Sequence, residues 1–185
     1  MSEATPSSPI LQFEGQYLSL YEVDHWQYAA RPNATGVVGI FAITSNQQVI
    51  FVEQFRHPMQ HRVLEICAGL VGDEKEYDGE SLNDCASREL LEETGYCPGN
   101  LKLLMSSPTS AGMTDEVTHL FLATDCYKKS EGGGVDGEEI TTHTVPISEI
   151  DEFLSDCRSK DILIDFKVYA CLGLLSEWKM LTGSL

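Results

Sequence analysis

The sequence has few basic residues, and it contains no apolar run long enough to span a bilayer. It has 12 Lys and Arg against 29 Asp and Glu, which gives a formal charge of −17 at pH 7. Most of such a surface repels a nucleic-acid backbone, so we expect neither a nucleic-acid partner nor a membrane partner. A small phosphate-bearing substrate is compatible with this charge, because bound divalent cations can reverse the sign of the field inside one pocket.

The sequence also lacks CxxC pairs and a basic leader followed by an apolar stretch. Its six cysteines lie mostly within apolar patterns, which is typical of reduced core thiols rather than of a disulfide framework or a zinc site. Its five histidines share no metal-binding spacing, and we interpret them as surface or hydrogen-bonded core residues. At 185 residues the chain is long enough for one domain with a substantial core. We expect a cytoplasmic protein.

Strand-like and helical patterns alternate along the chain without a regular repeat. Residues 13–22 and 26–30 indicate an N-terminal β-hairpin with Asp24 and His25 at its turn. Further strands are predicted at 36–43, 48–55, 63–67, 101–105, 117–123 and 140–145, and helices at 82–94, 147–155 and 161–180. This mixture predicts an α/β fold with a mixed sheet and helices on its faces. The glycine-rich residues 130–139 are either a plain surface turn or a moving loop of an active site.

The helix predicted at 82–94 has readable ends. Ser81 can act as its N-cap with Asp84 three residues on, and Gly95 supplies the left-handed position past its last turn. At about 100° per residue, Glu89 and Glu93 share a stripe with the apolar positions of the helix. We therefore predict that both acids face the sheet.

Glu89, Glu92 and Glu93 share one turn of this helix, where like charges destabilise a helix. Either their pKa values rise until some are protonated, or hard divalent cations lie among them. Oxygen ligands favour magnesium, manganese or calcium over zinc. The plainer interpretation is a solvated charged face in which Arg88 pairs with Glu92. Because that pairing accounts for Glu92 alone, we favour a metal site.

The helix and its approach carry a family pattern, since residues 80–96 read ESLNDCASRELLEETGY. This resembles the Nudix box, a glutamate followed by seven residues and then REUxEExGU, where U is apolar or aromatic. The segments WQYAARP, VIFVEQFRHP, RVLEICAGL and SAGMTDEVTHLFLA resemble the branch of that family that cleaves ADP-ribose and other nucleoside diphosphate sugars. The likeness covers most of residues 13–155. It implies a Nudix-type α/β/α sandwich with a mixed sheet, preceded by an N-terminal β-hairpin segment.

The chain departs from the box at one place. A glycine normally stands six positions before the first glutamate, but this chain has Glu74 there, and Gly69 stands eleven before Glu80. We interpret GDEKEYDG, residues 72–79, as containing a five-residue surface insertion, a change that costs little. The resemblance divides the chain into residues 1–35, a tail and hairpin expected to serve dimerisation and base binding, and residues 36–185, the Nudix hydrolase domain. A homodimer is therefore expected.

The resemblance also implies roles for particular residues. The magnesium ligands, which Mn²⁺ could also use, would be the main-chain carbonyl of Ala68 with Glu89, Glu92 and Glu93. Arg88 would orient the carboxylates, and Glu80 would support them. A loop acid would act as catalytic base or further ligand, and among Asp136, Glu138 and Glu139 we favour Asp136 as base and Glu138 as ligand. A solvated turn is the alternative for that loop.

For the substrate, the resemblance implies contacts from several segments of the chain. The phosphates and neighbouring ribose would meet Arg56 and Glu65, the base would meet Trp26 and Arg31, and the second sugar would meet Gly112, Asp115 and Glu116. Trp26 offers a stacking surface, although a tryptophan near a hairpin can equally be a core or dimer contact.

The implied reaction is magnesium-dependent hydrolysis of the pyrophosphate bond of a nucleoside diphosphate sugar. ADP-ribose is the leading substrate, giving AMP and ribose 5-phosphate, with GDP-mannose, ADP-glucose and UDP-glucose as alternatives. Many ADP-ribose-cleaving relatives carry proline fifteen residues after the box, where this chain has Ala111, so that substrate is less strongly indicated. A Nudix domain that senses nucleotide sugars without catalysis is the alternative from another class.

Overall fold

The computed structural model describes residues 7–73, 75–134, 137 and 139–182. A small N-terminal sheet comprises β1 (Ile10–Glu14), β2 (Ser19–Val23) and β3 (Trp26–Ala30). The strands of the large sheet are β4 (Val37–Thr44), β5 (Gln48–Arg56), β6 (His61–Glu65), β7 (Cys67–Leu70), β8 (Tyr96–Cys97), β9 (Asn100–Pro108), β10 (Val117–Lys128), β11 (Thr141–Pro146) and β12 (Leu163–Ile164). The helices are α1 (Leu82–Thr94), α2 (Ile150–Ser159) and α3 (Phe166–Thr182).

The large sheet is mixed. Its main path runs β12-β6-β5-β4-β10-β8, with β11 beside β5, β7 beside β4 and β9 beside β10. The pairs β4–β10 and β6–β12 are parallel, and the other pairs are antiparallel. The central strand β4 is apolar along nearly its whole length, as expected for a strand that is covered on both faces.

Helices cover both faces of this sheet. On one face, Cys85, Ala86 and Leu90 of α1 pack with side chains of β4, β5 and β10. On the other face, α2 and α3 contribute Leu154 and Val168 to a second buried cluster. The α/β/α sandwich predicted from the sequence is confirmed. Among the described residues, no helix has the length and apolar character that a membrane crossing requires.

The N-terminal segment forms three strands where the sequence indicated two. The predicted strand 13–22 is interrupted by a turn in which Gly15 N–H donates to the carbonyl of Leu18 at 2.9 Å. β2 and β3 are joined at Asp24 and His25, both with positive φ, as a two-residue hairpin turn requires. The predicted hairpin turn is therefore correct, and β1 adds a third strand to it.

The predicted start of the last helix is wrong. α3 begins at Phe166 rather than at residue 161, because Leu163 and Ile164 pair with Val63 and Leu64 of β6. A helical pattern in sequence gives no sign of this parallel ladder. The second helix is also shifted, since residues 147–149 form a 3₁₀ turn and α2 extends to Ser159.

Candidate active site

The ends of α1 are those the sequence predicts. The Ser81 hydroxyl accepts a hydrogen bond from the Asp84 N–H at 3.2 Å. At the other end, Gly95 has φ 76° and its N–H donates to the Leu91 carbonyl. These caps fix both ends of α1.

Glu89 and Glu93 face inward, toward β7. Only 6% of Glu93 is exposed, and its Oε2 accepts the Ala68 N–H at 3.2 Å. Glu89 lies so close to Gly69 that a Cβ added there would stand 1.8 Å from the Glu89 Cδ. Glycine at position 69 therefore makes room for the carboxylate.

Arg88 binds three of the acids around this point. Its Nη1 donates to Glu89 at 2.9 Å and to Glu92 at 3.0 Å. Its Nη2 and Nε donate to the two oxygens of Glu80, at 2.8 and 3.3 Å. The guanidinium is mostly buried, with 17% of its side chain exposed. Such a shared cation holds carboxylates together that would otherwise repel one another.

The carboxyl group of Glu89 is strongly perturbed. Burial raises its pKa to about 7 against the attraction of Arg88, and the neighbouring charge of Glu92 contributes to the rise. Near neutral pH this side chain is therefore balanced between its protonated and ionised forms. A buried carboxylate in this balance binds a cation readily, because the cation stabilises the ionised form.

These side chains line a cleft of about 810 Å³. Among the described residues, its carboxylates are Glu65, Asp73, Glu76, Glu89, Glu92, Glu93 and Glu116, and its cations are Arg31, Arg56, Arg88 and Lys167. Carboxylates thus outnumber cations seven to four along its walls. The cleft attracts positive charge.

Two ion pairs lie along the walls of the cleft, away from α1. Arg56 Nε donates to Glu65 Oε2 at 2.7 Å, from β5 to the neighbouring strand β6. Arg31 Nε donates to Glu116 Oε2 at 3.0 Å, which joins the N-terminal segment to the start of β10. All four residues were predicted from the sequence to contact substrate, and the fold places all four in one cleft with the box carboxylates.

A sequence model of the NUDIX domain matches residues 34–164. The chain belongs to the Nudix family. The solved structure of an ADP compounds hydrolase superposes with a TM-score of 0.71, covering 99% of this chain and 100% of that chain at 18% identity. At that identity the likeness shows a shared fold. The family and fold predicted from the sequence are confirmed.

Curated relatives carry several names. The chain is 34% identical over 135 residues to the ADP-ribose pyrophosphatase of Bacillus subtilis, covering 69% of each. It is 36% identical over 121 residues to the GDP-mannose pyrophosphatase of Pectobacterium atrosepticum, covering 61% of this chain and 60% of that protein. It is 39% identical over 104 residues to the methanol dehydrogenase activator of Bacillus methanolicus, covering 56% and 54%. The chain thus spans between half and seven-tenths of the length of these relatives.

Three residues predicted to contact substrate lie outside the main cleft of this Nudix domain. Trp26 is 64% exposed at the end of the β2–β3 hairpin, so within one chain it is neither core nor cleft. Gly112 lies in the exposed turn that precedes β10. Asp115 lines a smaller neighbouring pocket that it shares with Arg31 and Glu116. The substrate roles of these three remain predictions.

The glycine-rich loop packs against the end of α1. Gly133 N–H donates to the Glu93 carbonyl at 2.8 Å, and Gly134 N–H donates to the Glu92 carbonyl at 3.1 Å. Glu139 is described and is exposed. Asp136 and Glu138 lie outside the described residues. The anchored part of the loop is thus tied to the two box glutamates through their main-chain carbonyls.

Sequence reasoning missed several cleft residues, among them Tyr77 and Lys167. Tyr77 belongs to the insertion that we interpreted only as a surface loop, and its ring centroid lies 4.0 Å from the Arg88 Cζ. Lys167 follows β12 at the start of α3, where its Nζ lies 2.9 Å from Asp165 Oδ1. The insertion itself was a usable signal for Tyr77. No sequence signal pointed to Lys167, because it reaches the cleft through the pairing of β12 with β6.

The residues present fit a hard divalent cation. The side chains that the Nudix box supplies here are carboxylates, which magnesium and manganese prefer. Gly69 leaves the space beside Glu89 that a Cβ would fill. Within the described part of the chain, no three His, Cys, Asp or Glu side chains already converge as a ligand set, and Arg88 Nη1 contacts both Glu89 and Glu92. Arg88 donates to one oxygen of each of these carboxylates, and the second oxygen of each would be open to a cation.

Proposed function

We propose that this Nudix protein hydrolyses the pyrophosphate bond of a nucleoside diphosphate sugar, with Mg²⁺ as cofactor and Mn²⁺ as substitute. ADP-ribose is the leading substrate, and its products would be AMP and ribose 5-phosphate. The observation that carries the proposal is the inward position of Glu89 and Glu93, both in a cleft that also holds Arg56 and Glu65.

The charge of the cleft supports a metal-dependent reaction. Its walls carry more carboxylates than cations, and three of the four cations are paired with carboxylates of the same cleft. A diphosphate would be repelled from such a surface. A divalent cation held by Glu89, Glu92, Glu93 and the Ala68 carbonyl would supply the positive charge that the phosphate oxygens need.

The other residues of the cleft divide the remaining work. Arg56 would contact a phosphate oxygen, where its planar guanidinium can donate two hydrogen bonds. Glu65, held by Arg56 at 2.7 Å, would accept a hydrogen bond from a ribose hydroxyl. Arg31 and Glu116 would bind the part of the substrate that extends toward the N-terminal segment, with Gly112 and Asp115 beside the second sugar. Trp26 would stack on the base.

The attacking water needs a base, and we assign that role to a loop acid. Asp136 would take the proton, Glu138 would be a further metal ligand, and Glu139 is the alternative. The hydrogen bonds from Gly133 and Gly134 to carbonyls of α1 support this assignment, because they tie the loop to the carboxylate helix. Asp136→Asn and Glu138→Gln, compared with Glu139→Gln, would show which acid limits turnover.

The choice of substrate rests on the relatives and on one residue. Relatives named ADP-ribose pyrophosphatase and GDP-mannose pyrophosphatase align at similar identity, so GDP-mannose is the main alternative, with ADP-glucose and UDP-glucose behind it. Ala111, where many ADP-ribose enzymes have proline, weakens the case for ADP-ribose. A panel of these four nucleotide sugars, with phosphate released from the products by a phosphatase, would identify the substrate.

The same panel distinguishes an enzyme from a sensor. Turnover that requires Mg²⁺ and stops with a chelator supports hydrolysis. Binding of a nucleotide sugar without turnover in the presence of Mg²⁺ would favour a non-catalytic sensing domain. The intact set of Glu89, Glu92 and Glu93 supports the enzyme, because a sensor does not need metal ligands.

We also propose that the chain forms a homodimer through residues 1–35, which mostly precede the match to the family at residue 34. The small sheet exposes Ile10, Phe13 and Trp26, a set of large apolar side chains that a second copy could cover. Light scattering that reports a monomer at micromolar concentration would contradict this. A cytoplasmic location and the absence of a nucleic-acid partner remain predictions from the sequence.

A further inference from the structure

Tyr77 lies in residues 72–79, the segment that contains the insertion relative to the Nudix box. The Cζ of Arg88 lies over its ring, 4.0 Å from the ring centroid. It also lines the cleft, beside Arg88 and Glu92. A residue of the insertion therefore reaches the centre of the carboxylate network.

Hydrogen bonds at the C-terminal end of this segment hold Tyr77 in place. The Tyr77 carbonyl accepts the Glu80 N–H at 3.0 Å. The Glu80 carboxylate accepts the Gly72 N–H at 3.3 Å and two donors of Arg88. Tyr77, Glu80 and Arg88 thus form one closed group in which each member contacts the other two.

The guanidinium of Arg88 faces two sets of partners. Its Nε and Nη2 point to the insertion side, where they meet Glu80 and the Leu70 carbonyl. Its Nη1 points to Glu89 and Glu92. These contacts use the edge of the planar group, and its Cζ lies over the ring of Tyr77. Glu80 and Tyr77 therefore restrain the guanidinium from the insertion side.

We propose that Tyr77 is a positioning residue, which fixes Arg88 so that Glu89 and Glu92 are held side by side for a divalent cation. This deepens the proposed function and rests on it. An arginine side chain has many rotamers, and without the ring the guanidinium could move away from Glu89 and Glu92. Glu89 and Glu92 would then separate through their mutual repulsion, and metal binding would have to order them.

The test uses the full-length chain with Tyr77 changed to Ala, Leu or Phe. Phe keeps the ring, whereas Leu keeps bulk without a ring. Mn²⁺ binding, measured by electron paramagnetic resonance of free Mn²⁺ without substrate, should weaken roughly three- to tenfold in Y77A and Y77L and remain near the original value in Y77F. Tyr127→Ala is the matched control, because Tyr127 is exposed and lies away from this cleft.

A second readout needs no metal. In ¹H–¹⁵N spectra, the Arg88 Nε–H, assigned by its loss in Arg88→Lys, should carry a ring-current shift in the original chain and in Y77F. The shift should disappear in Y77L. Melting temperatures measured in chelator identify any variant that fails to fold. If Y77A does not fold, Y77L takes its place in the comparison with Y77F.

Equal Mn²⁺ affinity in Y77L and Y77F, or tighter binding in Y77A, would overturn the proposal. So would an unchanged Arg88 resonance in Y77L. If the original chain binds Mn²⁺ in a Tyr77-dependent manner but cleaves no nucleotide sugar, the proposed function fails and the role of Tyr77 stands. If the original chain cleaves a nucleotide sugar and all three variants bind Mn²⁺ equally, the proposed role of Tyr77 fails and the proposed function stands.

Discussion

Glu53 and Glu89 have side chains that are only 10% and 13% exposed, and they lie on opposite faces of the same sheet. Glu53 follows Phe51 of β5 on the face covered by α2 and α3, whereas Glu89 projects from α1 on the other. Although burial opposes it, hydrogen bonds from Arg62 and His143 lower the pKa of Glu53. Burial raises the pKa of Glu89 to about 7 despite the attraction of Arg88, which is shared among three acids.

The difference between the two sites lies in how cations are matched to carboxylates. Glu53 accepts from Arg62 Nε, and its Oε2 lies 2.8 Å from the Nε2 of His143. One carboxylate there has two partners, as expected of a structural group. At α1 the carboxylates outnumber the cation, a surplus of negative charge that lowers stability unless a ligand compensates it.

The largest effect is expected at α1. Glu93→Gln should lower turnover by a factor of about 10² or more at saturating Mg²⁺, because a metal ligand loses its charge. Its melting temperature should stay close to the original or rise, since repulsion within one helical turn is relieved. Steady-state kinetics and thermal unfolding measure the two quantities. Unchanged turnover would falsify the metal assignment.

Glu53→Gln should show the opposite profile. The variant leaves Arg62 and His143 without their carboxylate, so we expect the free energy of unfolding to fall by about 1–3 kcal/mol. Turnover should remain near the original, because Glu53 lies on the far side of the sheet from the cleft. Urea unfolding measures the loss. A stable variant without activity would mean that the two glutamates do not differ in role.

The pH dependence of stability in chelator should distinguish the two residues as well. Because the folded-state pKa of Glu53 is lowered, its contribution is present above pH 4.5 and is lost as the pH falls through the folded value. Because the folded-state pKa of Glu89 is raised to about 7, its ionisation costs stability as the pH rises from 4.5 to 7.

Unfolding of Glu53→Gln and Glu89→Gln between about pH 3 and pH 8 tests these slopes. Relative to the original chain, Glu89→Gln should gain about 1–3 kcal/mol as the pH rises from 4.5 to 7. The lower stability of Glu53→Gln should stay constant above pH 4.5, and the difference should shrink as the pH falls below that value. Parallel curves for the two variants would contradict the assigned pKa directions.

The smallest effect is expected at Lys167, a cation that belongs neither to the group around Glu53 nor to the carboxylates of α1. Lys167 lines the cleft, but its ion-pair partner Asp165 does not. Lys167→Gln should therefore raise the KM for the nucleotide sugar by roughly three- to tenfold with little change in kcat, as expected for one lost charge contact with substrate. Lys160→Gln is the control, since Lys160 forms a comparable pair with Asp156 on the surface. Equal KM values would remove Lys167 from the substrate site.

How far the sequence predicts the site depends on the distance along the chain between the interacting residues. The caps of α1, its inward acids and its box spacing all arise within sixteen residues, from Glu80 to Gly95. The five histidines were interpreted together, and the role of His143 as a partner of Glu53 came only with the pairing of β5 and β11. The third strand of the N-terminal sheet was not predicted and the predicted start of α3 was wrong, because strand pairing decided both.

The sequence by itself determined a helix with fixed ends and two acids on its apolar stripe, because helical periodicity and capping are local properties of the chain. Only the tertiary structure decided that β7 would leave a glycine beside Glu89, that Tyr77 would cover Arg88, and that β12 would bring Lys167 to the same cleft. These contacts join residues from separate elements, and their positions depend on sheet register and loop closure, which no local pattern records.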